Sequence, residues 1–297
     1  MAKKTQARVT LHRSCGAMAA HMMLLETHPS FRAAQMRLEG ATSKRRDAGA
    51  AKQAKIVVIK TVVHVVYRTP EENISAAQIK SQISALNKDF RATNPDKSQT
   101  PLPFKGLVSD ARITFKLVKT TRTKTTVNGF SFDDKVKKAS TGGIAPYQPK
   151  THMNLWVCAL TGGLLGYAQF PGGPVNTDGV VCNYLAFGTN GTAQAPFNKG
   201  RTATHEVGHY LNLRHIWGDT PDCSGSDMVA DTPNCAGPNF GTPTWPVVTC
   251  TNGPNGDMFM NYMDYTDDAC MNAFTTGQKN RMQALFASNG FRFSLTT

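Results

Sequence analysis

His205, Glu206 and His209 stand in the spacing H-E-x-x-H. Residues four apart share one face of a helix. Two imidazoles so placed can close on one metal ion at about 2.0–2.1 Å, with Glu206 beside them as a candidate general base. A third histidine, His215, carries more information. On a continued helix it would lie about 15 Å along the axis from His205, at about 1.5 Å per residue, and could not reach the same ion. The helix must therefore stop between 209 and 215, and the chain must turn back. Asn212 suits that turn, because asparagine, after glycine, best tolerates the left-handed conformation that ends helices. Three neutral histidines leave zinc one open position for a water, the arrangement of a hydrolytic site rather than a structural one.

The elements that must position these residues read as α/β from residue 56 onward. Ile56 to Tyr67 is β-branched throughout and predicts a central strand buried on both faces, with His64 a satisfied core residue and not a ligand. Ser75 predicts the cap of a helix to Phe90, with Ile79, Ile83, Leu86 and Phe90 on one face. Ala111–Val118, Met153–Cys158 and Gly179–Tyr184 read as further strands, and Thr120–Ala139 as a solvated excursion without chemistry. Gly162–Pro171 reads as an edge strand above the cleft, where an extended peptide could add as another strand. Thr275–Ala287 predicts a closing helix with Met282, Leu285 and Phe286 inward.

The formal charge of +13 on 297 residues does not describe a nucleic-acid surface. Residues 1–60 hold 12 Lys/Arg and 3 Asp/Glu, a net +9; the other 21 and 17 leave only +4. No run of 18 apolar residues is present to span a membrane, and no apolar stretch follows the basic Met1–Arg8 as in a signal peptide. Nothing suggests a coiled coil or a repeat, so a monomer is expected.

The segment from His205 to His215 resembles the metzincin signature, with Asn212 where that pattern has glycine, and Asn261-Tyr262-Met263-Asp264-Tyr265 resembles the methionine turn. The flanking Trp217-Gly218-Asp219 and Asp264-Tyr265-Thr266-Asp267-Asp268 are similar to the pappalysin family, over most of the chain from about residue 56. The resemblance implies an α/β (α+β) metzincin catalytic domain. Its parts would be a twisted five-stranded mixed sheet plus helices, a zinc cleft, and an irregular C-terminal subdomain stapled by disulfides. Residues 1–55 would be a pro-segment and linker and 56–297 the catalytic domain, divided into 56–215 and 216–297. It further implies a secreted zinc endopeptidase acting on proteins or peptides. Tyr265 would hydrogen-bond the tetrahedral intermediate, Met263 would lie beneath the imidazoles, and Asp268 at the base of the S1′ pocket would select Arg or Lys after the scissile bond. A silent binding module and a zinc hydrolase of esters or amides are the other classes considered.

Seven cysteines leave one unpaired at best. The family resemblance pairs Cys223 with Cys250 and Cys235 with Cys270. Cys158 and Cys182 fall at similar places in neighbouring strands, which suits either a bridge or two buried thiols. Cys15 stands alone beside Gly16, upstream of the zinc motif. A thiolate there can occupy the open zinc position and hold the enzyme latent, as the resemblance also implies. Lys44-Arg45-Arg46 and the stretch to Lys55 read as a flexible, cleavable linker, where an enzyme preferring basic residues could mature itself. Asp227 and Asp231, in an aspartate-rich coil, are the calcium candidates that the resemblance raises.

Overall fold

The computed structural model describes residues 13–47 and 55–296. Two helices come first, α1 (Ala17–Thr27) and α2 (Pro29–Asp47), hinged at His28-Pro29. Lys44–Asp47 complete α2, so this part of the expected linker is helical; residues 48–54 lie outside the described residues.

β1 (Val57–Tyr67) is flanked in parallel by β2 (Ile113–Lys124) and β3 (Met153–Cys158). β5 (Val180–Asn183) follows β3 in parallel, and the short β4 (Gly166–Ala168) closes that edge antiparallel, in the order β2-β1-β3-β5-β4. The five-stranded mixed sheet is the one expected. Its centre carries two cores. Ile59, Val63 and Val65 point to one face and Val66 to the other, where Trp156 and Tyr167 pack, which is why β1 is apolar without alternation. His64 is buried, with one ring nitrogen 2.7 Å from the Thr121 hydroxyl and the other 2.8 Å from the Asn154 amide oxygen. It is satisfied there and far from any ligand role.

The first core is covered by α3 (Ala76–Phe90), capped by Ser75, by the one-turn α4 (Leu102–Lys105), and by α5 (Arg201–Tyr210). Below α5 the chain is mostly loop. It contains the two-residue parallel pair β6 (Phe240–Gly241) and β7 (Tyr265–Thr266), and the closing helix α6 (Thr276–Ala284), capped by Thr275. One disulfide is present in this region, Cys223–Cys250, as expected.

Cys235 and Cys270 are free, against expectation. Cys235 is buried among Asp227, Asp257 and Asp264, while Cys270 sits half-buried beside Asp267 and Lys199, so the two thiols occupy different surroundings. Cys158 and Cys182 are buried thiols. Cys182 is in register with Val157 and Cys158 with Asn183, so the two side chains leave opposite faces of the sheet. Nor does the C-terminal region depend on bridges alone. Met258, Met260, Tyr262, Met263, Phe274, Met282 and Leu285 join the main core.

Candidate active site and metal centre

α5 starts after Gly200 (φ +78°) and runs to Tyr210; Asn212 then takes φ 71° and the Leu213 N–H donates to the Gly208 carbonyl. The chain reverses at the residue expected. His215 is thereby returned to His205 and His209, and the three Nε2 atoms lie 3.1–3.2 Å apart. His205 Nδ1 faces the Tyr262 carbonyl at 2.7 Å, His209 Nδ1 the Leu213 carbonyl at 2.8 Å, and His215 Nδ1 the Asp219 carboxylate at 2.5 Å. Those acceptors require the proton on Nδ1, which leaves each Nε2 lone pair aimed at a common point. Burial, and after it the neighbouring imidazoles, depress the basicity of His205 and His209 and keep both rings neutral.

Cys15 Sγ completes the group. It and the three imidazoles offer ligand atoms within 4.8 Å of one another, the one such group of three or more among the described residues. Three imidazoles and a thiol that ionises on binding make a four-ligand set suited to zinc, and their spacing approaches the edge of a tetrahedron of about 2 Å radius. The residues fit a zinc ion. The His215 ring is further fixed by Trp217, stacked 4.3 Å away at 4°, and by the edge of Tyr265 at 5.0 Å.

Glu206 is buried beside the cluster, and the Cys15 thiol lies 3.4 Å from its Oε2. Burial pushes its carboxyl up to about 8, opposed by the thiol contact and by Arg13. A carboxyl so placed can exchange a proton near neutral pH. Met263 is buried against Gly208 on the underside of α5. Tyr265 stands in the cleft wall, its ring 5.7 Å from that of His205.

The edge of β4 is occupied. The Gly16 N–H donates to the Gly166 carbonyl and the Leu165 N–H to the Ser14 carbonyl, so residues 14–16 lie parallel along β4 as an added strand. One residue earlier, Arg13 enters a pocket whose base is Asp268. Its Nη2 is 2.6 Å from Oδ1, its Nε donates to the Thr266 carbonyl at 2.9 Å, and its guanidinium lies 4.9 Å from the centre of the Phe197 ring. The other oxygen of Asp268 accepts the N–H groups of Lys199 and Arg201, at the start of α5. Sequence reasoning does not find Arg13; the available signal is a basic side chain two residues before Cys15.

Asp227 accepts from the Thr232 hydroxyl and the Val229 N–H, and Asp231 from the Thr275 hydroxyl and the Gly277 N–H at the start of α6. The two calcium candidates thus serve separate local turns. Residues 17–47 pack beyond the cleft. His21 lies between Phe31 and Phe170, Gln35 donates to the Pro171 carbonyl at 2.6 Å, and Glu39 pairs with Arg281 and Arg214.

Residues 144–287 match the peptidase M43 family model, described as pregnancy-associated plasma protein-A. An extracellular metalloprotease of Arthroderma benhamiae is 32% identical over 82% of this chain and 83% of its own length. One from Pyricularia oryzae is 31% identical over 92% and 88%. A Tannerella forsythia promirolysin mutant superposes with a TM-score of 0.87 at 44% identity, covering 96% of this chain and 97% of that one. Mature mirolysin from the same organism, solved with a cleaved peptide, superposes at 0.81 with 50% identity over 82% and 96%. Among the described residues no helix is long and apolar enough to cross a membrane.

Proposed function

The chain belongs to the pappalysin (M43) family of zinc metalloendopeptidases, and from that premise we propose that residues 1–55 hold it as a zymogen that cleaves before Arg and Lys. One observation carries this reading: the single segment 13–16 presents Cys15 to the three histidines and Arg13 to Asp268. With zinc bound, the thiol would take the coordination position that a reacting water needs, and the guanidinium would fill the pocket that a substrate side chain needs.

His205, His209 and His215 would hold a zinc ion, which would supply Lewis acidity to a water and to the scissile carbonyl. Glu206, freed of Cys15, accepts the proton of the attacking water and passes it to the leaving amine. The Tyr265 hydroxyl donates to the oxyanion as it forms. The free edge of β4 receives the substrate backbone, and Asp268 binds the guanidinium or ammonium that follows the scissile bond.

Lys44–Arg46 lie in α2, so the cut that releases the segment falls before Lys52 or Lys55, and the enzyme makes it itself. The relatives named extracellular metalloproteases support secretion. The test is incubation of the full chain beside Glu206→Ala, following mass and N-terminal sequence. Loss of the leader in wild type alone, blocked by a chelator, is expected. A wild-type chain that stays whole while Cys15→Ala shows no peptidase activity would overturn the reading.

A further inference from the structure

We infer that Arg214 and Arg281 form a carboxylate-recognition subsite for substrate residues on the N-terminal side of the scissile bond. The inference rests on the reading above, in which residues 13–47 leave the mature enzyme.

The two ends of the cleft follow from how the leader lies. Ser14 and Cys15 meet Leu165 and Gly166 at the start of β4, with Arg13 in the Asp268 pocket. Past Cys15 the chain continues in the direction of β4 and packs on Phe170 and Pro171, beyond the strand's end. The Asp268 pocket and the surface under α2 therefore flank the metal centre on opposite sides. If the side chain in the Asp268 pocket follows the scissile bond, residues that precede it pass toward the surface under α2.

That surface holds a built anion site with a stand-in ligand. Glu39 meets Arg281 through both oxygens, Nη1 to Oε2 at 2.8 Å and Nη2 to Oε1, and Arg214 Nη2 lies 3.6 Å from Oε1. Burial alone would raise the Glu39 carboxyl, but the hydrogen bonds from Arg281, and then the charges of Arg281 and Arg214, together hold it below its usual range. Arg281 is not free to swing. Its Nε donates at 2.5 Å to the carbonyl of Asn212, the left-handed residue between the zinc ligands, and its side chain is 3% exposed. The guanidinium fork is thus fixed by the body of the enzyme, independently of α2. Departure of α2 removes Glu39 and uncovers both arginines. The carboxyl that remains under the influence of Arg281, Asp227, is buried and occupied by Thr232 and Val229. The fixed fork of Arg281, with the Arg214 guanidinium beside it, selects a glutamate or aspartate side chain at the edge of the cleft.

The test uses mature enzyme generated from the full chain and peptides with one Arg after the scissile bond. Glu or Gln is placed in turn at positions about three to seven residues before that bond. One position, or two adjacent ones, is expected to favour Glu about five- to tenfold in kcat/KM. Arg214→Gln should bring that ratio below about twofold, and Arg281→Lys, which keeps the charge and loses the fork, should give an intermediate value. Equal cleavage of Glu and Gln peptides at every position overturns the subsite while leaving basic-residue cleavage intact. So does a Glu preference that survives both substitutions together. Failure to cut any of the peptides before Arg counts instead against the reading on which the subsite rests.

Discussion

The Met263 sulfur fills the space that a Cβ on Gly208 would occupy: a methyl built there falls well inside van der Waals contact of Sδ. The methionine turn and the metal helix are therefore fitted to each other at a point midway between Glu206 and Tyr210. Gly208→Ala must push Met263 or α5 aside. The expected result is a loss of about 1–3 kcal/mol of stability and weaker metal retention, read by unfolding with and without chelator. An Ala variant as stable as wild type would show that the contact gives way freely.

Asp219 orients His215 from four residues away, and Trp217 holds the ring flat. Replacing Asp219 by Ala leaves the Nδ1 proton without its acceptor and the ring free to turn. Zinc affinity, measured by competition with a chromophoric chelator, should fall about 10–100-fold. Asn, which keeps an acceptor without the charge, should fall less.

Asp268 does two things. It meets Arg13 with one oxygen and caps the start of α5 with the other, through the Lys199 and Arg201 N–H groups. Ala at this position removes both, and leaving buried donors unpaired costs about 1–3 kcal/mol. Asn keeps an acceptor oxygen for the cap. Asp268→Asn should remain folded and lose the preference for Arg and Lys more than it loses turnover on a peptide mixture. An unchanged cleavage-site profile would dissociate Asp268 from specificity.

The Asp264 carboxyl is pushed up to about 7 by burial, against the Asn239 and Tyr265 N–H groups that favour its ionised form. Unfolded, it titrates near the ordinary value of about 4. Between these limits the folded chain keeps a proton that the unfolded chain releases, so this group's contribution to stability declines as pH rises from about 4 to about 7 and is level above. Asp264→Asn does not titrate. The Tm difference, variant minus wild type, should become more positive from pH 5 to pH 7 and then stop changing. A difference constant across that range would rule out the assignment.

The metal site is legible in the sequence because all its enzyme-side ligands lie within eleven residues, where helix geometry alone decides reach. The left-handed turn at Asn212 follows from the same geometry. β1 is legible from its unbroken apolar run, and the Ser75 cap from its position before a helical pattern. What escapes is set by contacts across the chain. Arg13 reaches a partner 255 residues away, and nothing local to either residue announces the pair. The fates of Cys158 and Cys182 turn on a one-residue offset in strand register, invisible to spacing. Lys44–Asp47 read as linker by composition, yet they continue a helix already under way.

Arg13, Cys15 and Glu39 all belong to one continuous stretch, so the Asp268 pocket, the histidine cluster and the Arg281 fork are engaged together. While that stretch is joined to the enzyme, its effective concentration at the cleft is on the order of millimolar, whatever the amount of protein present. A single cut after Asp47 changes the order of the reaction. Occupancy would then depend on how much severed leader surrounds each enzyme molecule; under the proposed latency, the same cleavage would leave the enzyme quiet in a concentrated store and set it to work on dilution.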